Sequence, residues 1–166
     1  MNVKRGCHAT VYLDEHVFVF GGVNYTDKAL RKSERYDMQL NKWELLPHMR
    51  DARKNASACV LSKVLVYVFG GTNNFDSLDT IERLNVRDNY WELLQAQLPG
   101  LLSFVVPFKF SKFEILLFGG SVKEPGRDGR SFKTNGVFKL DAIRETVTEV
   151  MPMEKEVLSI YPAFYD

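Results

Sequence analysis

The sequence predicts an all-β protein built from a repeated unit of four short strands. Three observations carry that expectation. An apolar run closing in Phe-Gly-Gly occurs as HVFVFGG at 16–22, VLVYVFGG at 64–71 and EILLFGG at 114–120, and Phe20, Phe69 and Phe118 stand 49 residues apart. A fixed period of that size marks a repeat architecture, in which each unit buries its faces against its neighbours. Tyr36 and Leu84 hold one register position, and Trp43 and Trp91 each follow it by seven residues. The apolar residues fall in short β-branched and aromatic runs bounded by turn residues, without sustained helical periodicity.

The first unit opens with RGCHATVYL at 5–13 and turns at Asp14-Glu15 into HVFVFGG. The polar stretch VNYTDKAL then leads to SERYDMQ at 33–39, a turn around Asn41, and KWELLP. The paired glycines Gly21 and Gly22, Gly70 and Gly71, and Gly119 and Gly120 predict positive φ or a close backbone approach that a Cβ would block.

The second unit repeats the order. SACVLS at 57–62 turns at Ser62-Lys63 into VLVYVFGG, TNNFDSLD forms a loop, and TIERLNV and NYWELL follow. The two units agree in a Glu-Arg pair, a turn and a tryptophan. The third unit diverges: SFVVPFKF at 103–110 contains Pro107, which predicts a bulge or an unpaired position. A longer loop is expected at 121–132. Leu140-Asp141 then stand for Tyr36-Asp37, and Val147 stands for the tryptophan. The units span about 1–49, 50–98 and 99–153, and 154–166 begins a further one.

Composition narrows the function classes. The formal charge of +1 offers no general attraction to nucleic acid or anionic lipid, so neither partner is expected. No run approaches the ~18 apolar residues of a membrane helix. Without an export signal, the N-x-S/T patterns at Asn24 and Asn55 are expected to stay unglycosylated and the protein cytoplasmic. Cys7 and Cys59 have no metal or redox spacing and read as buried small hydrophobes.

No catalytic constellation stands out. His8, His16 and His48 are scattered, no phosphate-binding loop follows the glycines, and the Asp14-Glu15 pair sits in a turn. The chain is therefore expected to be non-enzymatic, with no cofactor and no metal.

The Gly-Gly, Tyr-Asp and Trp pattern resembles the kelch repeat, the blade of a kelch β-propeller, over essentially all of the chain. PHMRDARKNAS, with Met49, Arg50 and Arg53, resembles the link between blades in kelch-like adaptors. The resemblance implies an incomplete propeller of about three antiparallel four-stranded blades plus the start of a fourth. It implies first strands at the central channel, with Tyr36, Trp43 and Trp91 packed between blades. Propellers close with about four to eight blades. The remaining blades are therefore expected from a longer chain or from a second copy in a homodimer.

The resemblance also places the loops after Gly-Gly, and the links between blades, on one face. There they present Asn24, Tyr25 and Asp27; Asn73, Asn74 and Phe75; Lys123, Arg127 and Arg130; and Arg50 and Arg53. Tyrosine and arginine are enriched in interface hot spots. The expected function is protein or peptide binding on these loops, as a substrate receptor of a ubiquitin ligase or as an actin-associated scaffold. The competing reading is a propeller enzyme such as a copper oxidase, which needs a Tyr/His/Cys site that no grouping here suggests.

Overall fold

Tight turns join the first strand to the second and the third to the fourth in each blade, the longer post-glycine loop returns the third strand beside the second, and each strand pairs with the next. The computed structural model describes residues 1–123 and 131–155; of the further unit expected to begin at 154–166, residues 156–166 lie outside the described residues. The first blade consists of β1 (Ala9–Leu13), β2 (His16–Phe20), β3 (Ser33–Asp37) and β4 (Lys42–Leu46), antiparallel in chain order. The second consists of β5 (Ser57–Val60), β6 (Leu65–Phe69), β7 (Thr80–Asn85) and β8 (Tyr90–Gln97) in the same order.

The third blade is preceded by β9 (Leu101–Ser103). It begins with β10 (Val106–Lys109) and β11 (Glu114–Phe118) and departs into β12 (Ser121–Lys123) and β13 (Ser131–Lys133). It is completed by β14 (Val137–Asp141) and β15 (Thr146–Glu149). Its sheet order is β10-β11-β14-β15, and β13-β12-β9 form a separate three-stranded sheet. The stretch expected as plain loop at 121–132 therefore begins and ends in strands. No helix occurs among the described residues.

The register supports the alignment of all three units. Val17, Tyr36 and Trp43 face one another across blade 1, as Val66, Leu84 and Trp91 do across blade 2 and Ile115, Leu140 and Val147 across blade 3. The residue after each central position anchors the next turn. Asp37, Asn85 and Asp141 each accept, through Oδ1, the amides two and three residues on. Left-handed Asn41, Asn89 and Glu145 then complete those turns.

Pro107 makes no bulge, the first of the two outcomes expected for it: β10 pairs with β11 through it without a register shift. An edge strand tolerates a proline that a central strand would not.

Blades stack through alternating side chains. Ala9, Leu13, Phe18, Phe20, Leu46 and Met49 of blade 1 pack on Val66, Val68 and Leu84 of blade 2. The opposite face of blade 2, with Tyr67, Phe69, Ile81, Leu94 and Leu98, packs on Leu102, Ile115, Leu117, Phe138 and Leu140. Each fully buried Val, Leu, Ile, Phe or Met among them contributes roughly 1.5–3 kcal/mol. Strands β1, β5 and β10 lie against one another along the inner edge. Cys59 is buried in the second interface, whereas Cys7 is exposed, against the expectation for it.

The Gly-Gly pairs are where one blade's backbone crosses the next. A Cβ on Gly21 would lie 2.2 Å from the Arg53 carbonyl oxygen, and one on Gly70 would lie 2.1 Å from that of Leu102. Both have positive φ, at 63° and 50°. The amides of Gly22 and Gly71 donate to those same two carbonyls at 2.8 Å. Close approach and left-handed backbone thus act together.

Candidate functional site

In each blade the start of the first strand, the end of the second, the start of the third and the end of the fourth share one end of the sheet. That topology gathers the post-glycine loops and the inter-blade links on one face. Equivalent loops follow β2 and β6, because Asn24 and Asn73, and Asp27 and Asp76, each stand 49 residues apart. Asn24 Oδ1 accepts from the Thr26 and Lys28 amides, and Asn73 Oδ1 from those of Phe75 and Asp76. These asparagines therefore shape their loops from within.

Successive loops are tied to each other. The Ala29 amide donates to Asn74 Oδ1 at 2.7 Å. Asp27 pairs with Lys54 at 2.9 Å, and Asp76 pairs with Lys123 on β12 at 2.7 Å. The Lys123 hydrogen bond, followed by the Ser77 amide, holds the Asp76 carboxyl below its ordinary range. The second loop and Lys123 also wall a shallow pocket of about 230 Å³.

Two large side chains stand out from this frame: Tyr25 is 94% exposed and Phe75 is 92% exposed. An aromatic ring left in water on a hydrogen-bonded loop is a feature of recognition surfaces rather than of cores.

The expected site residues divide. Asn24, Tyr25, Asp27, Asn73, Asn74 and Phe75 come together on the two tied loops. Arg50 has an exposed side chain in the link between blades, while its amide donates to Glu82 Oε2. Arg127 and Arg130 lie outside the described residues. Lys54, absent from the sequence-based set, joins the site, and only the spatial crossing of blade 2 beneath the first loop brings it there.

Arg53 is a correction. Its side chain is fully buried, pairing with Glu82 at 2.7 Å and donating to the Gly70 and Thr80 carbonyls. An arginine with those partners cannot also reach a ligand on the loop face. Its role is structural, and it recurs: Arg5 pairs with Glu34 at 2.7 Å and donates to the Gly21 and Lys32 carbonyls. Sequence offered a signal for this, since Arg5 and Arg53 share the spacing of Glu34 and Glu82.

A second chain of contacts rings the inner edge. Cys7, Asn55 and Phe104 are left-handed residues at equivalent positions, with φ of 51°, 56° and 58°. The Asn55 amide donates to the Cys7 carbonyl and the Phe104 amide to the Asn55 carbonyl. Beside them, burial and then the Arg5 charge lower the pKa of His8. No group of three or more His, Cys, Asp or Glu side chains suited to a metal ion occurs among the described residues.

Comparison with known proteins matches the repeat itself: the Kelch motif covers residues 4–50 and 52–96. The chain belongs to the kelch family. A protein of Arabidopsis thaliana named for an F-box and kelch repeats is 35% identical over 86 residues, covering 51% of this chain and 23% of the relative. Kelch domain-containing protein 3 of Rattus norvegicus is 36% identical over 84 residues, covering 44% of this chain and 22% of the relative. Kelch domain-containing protein 10 of Rattus norvegicus aligns more widely, at 27% identity over 139 residues, 78% of this chain and 34% of the relative. The chain thus spans only a quarter to a third of the length of such relatives. The kelch match ends before the third blade, where tryptophan has given way to Val147.

Proposed function

We propose that this kelch chain is a non-enzymatic, cytoplasmic protein-interaction module that docks a protein or peptide on the face of the post-glycine loops. The observation that carries the reading is the pair of exposed rings, Tyr25 and Phe75, on consecutive loops tied through Ala29 and Asn74. A rigid frame lowers the ordering cost of binding, and aromatic anchors supply most of its energy. The finer version is a substrate receptor of a ubiquitin ligase. The F-box in the Arabidopsis relative's name favours that version over an actin-associated scaffold. The half-exposed Tyr36 and Trp43 would take a further blade, from a longer polypeptide or from a second copy.

Affinity capture with the wild-type chain and with a Tyr25→Ala/Phe75→Ala variant tests the reading. Proteins retained by the wild type should fall at least about tenfold with the variant, since two hot-spot truncations cost roughly 2 kcal/mol or more each. The thermal melt should stay unchanged. Equal retention by both would overturn the assignment of the loop face. Stoichiometric copper in the purified protein would favour the oxidase alternative.

A further inference from the structure

The opposite end of the blades carries a second site of different chemistry. There the β5–β6 and β10–β11 hairpins stand side by side and leave a cavity of about 510 Å³ between blades 2 and 3. That volume lies within the ~300–1,000 Å³ of ligand sites. Its accessible lining is apolar, formed by Leu65, Ala142 and Ile143, with Leu61 and Tyr67 buried behind them. Its rim is cationic, with Lys63 on one hairpin and Lys109 and Lys112 on the other.

Among the described residues these charges are available. Arg83, also at the cavity, is taken by Glu92 and by Glu145 at 3.3 Å. By contrast, Lys63, Lys109 and Lys112 have no carboxylate partner among the described residues. Lys112 lies 5.0 Å above the ring of Phe113, itself exposed at the mouth. The hairpin positions repeat: Ser62-Lys63 and Ser111-Lys112 stand 49 residues apart, whereas blade 1 has Asp14-Glu15 at its turn. The basic rim therefore belongs to the groove between blades 2 and 3 and is not a general property of this end.

We propose that this cavity binds an extended acidic peptide, with aliphatic side chains on the Leu65, Ala142 and Ile143 lining and flanking carboxylates on the three lysines. The division of charge between two hairpins selects this occupant. One carboxylate headgroup on an acyl chain places its charge at a single point of the rim, whereas acidic residues on both sides of an apolar pair carry charge to both hairpins. The site lies at the other end of the sheets from Tyr25 and Phe75, so its failure leaves the loop-face reading intact.

The test uses the whole chain and a fluorescein-labelled peptide, Asp-Glu-Leu-Leu-Glu-Asp, read by anisotropy. The expected result is saturable binding below roughly 1 mM. It should weaken at least about tenfold when Lys63, Lys109 and Lys112 are changed to Glu, and again when salt rises from about 50 to 500 mM. Lys42→Glu, on exposed β4 of blade 1, should leave it unchanged, and matching thermal melts show that the triple variant folds. Equal binding of the neutral peptide Asn-Gln-Leu-Leu-Gln-Asn, or binding indifferent to the triple change, overturns the proposal. So does binding of sodium laurate without binding of the acidic peptide, which would make the cavity an acyl-chain site.

Discussion

The two inter-blade interfaces solve one packing problem with different chemistry. Between blades 1 and 2, Trp91 stands edge-on to Phe20, with centroids 5.3 Å apart, and its indole N–H donates to the Pro47 carbonyl at 3.0 Å. Beside it lies the buried Arg53–Glu82 pair. Between blades 2 and 3, the Trp91 position is held by Val147, and Arg53 and Glu82 are replaced by Leu102 and Phe138, which are buried in the same core. The equivalence is set by register: Glu82 faces Val68 and Phe138 faces Leu117, while the Arg53 and Leu102 carbonyls accept from Gly22 and Gly71. The backbone crossing at Gly-Gly is thus shared by both interfaces. The side chains above it form a satisfied ion pair in one interface and a purely apolar pair in the other.

The largest effect is expected where both interfaces agree. Gly70→Val sets a Cβ against the Leu102 carbonyl on a left-handed backbone, and should abolish folding or collapse the melting temperature. Gly6→Ala, whose Cβ would meet nothing closer than 3.9 Å, should melt close to wild type. A Gly70→Val protein that melts like its parent would show that the crossing can shift.

Next comes exchange of the polar pair. Arg53→Leu alone leaves the Glu82 carboxylate buried without its cation and should cost about 3–5 kcal/mol. Arg53→Leu with Glu82→Phe copies the blade 3 arrangement and should recover most of that loss. Chemical denaturation of the single and double variants measures the coupling. Additive losses would mean that the two interfaces are not interchangeable.

The tryptophans give a smaller contrast. Trp91→Ala should cost about 3–5 kcal/mol, as for a packed aromatic. Trp43 sits on the terminal face of blade 1, half-exposed, with Tyr36 as its ring partner at 5.1 Å. Trp43→Ala should cost only about 1 kcal/mol. The cost should rise if a further blade covers that face, so equal losses in the chain alone would refute the reading that only Trp91, partly buried against the core between blades 1 and 2, is packed by a neighbouring blade.

The smallest effect concerns the cysteines. Burial in the second interface pushes the Cys59 thiol up to about 11 from an ordinary 9.0. A thiol whose folded pKa is raised contributes stability that is present below its unfolded pKa and lost as pH rises from 9 toward 11. At pH near 8, iodoacetamide should add once, at exposed Cys7, and a second time only after denaturation. Native labelling of Cys59 would mean that blades 2 and 3 part readily.

Much of this protein could be read from the order of its residues, and for a local reason. Strand alternation, tight turns and Gly-Gly stops are short-range features, so a 49-residue period exposes them three times over. The central positions at Tyr36, Leu84 and Leu140 follow from the seven-residue step to Trp43, Trp91 and Val147 and hold in the register. The candidate loops were legible in the same way, because Asn24 and Asn73 repeat.

Which long side chains would be free was decided by tertiary structure, even where, as for Arg5 and Arg53 with Glu34 and Glu82, a repeated spacing carried a signal. Arg53 reads as a surface cation until blade 2 folds its carbonyls and Glu82 around it, and Lys54 joins the loop face only because Asp27 lies opposite. The basic cavity likewise needs two hairpins from different blades. Charge and burial at such positions depend on contacts across the interfaces, over distances along the chain that local patterning does not encode.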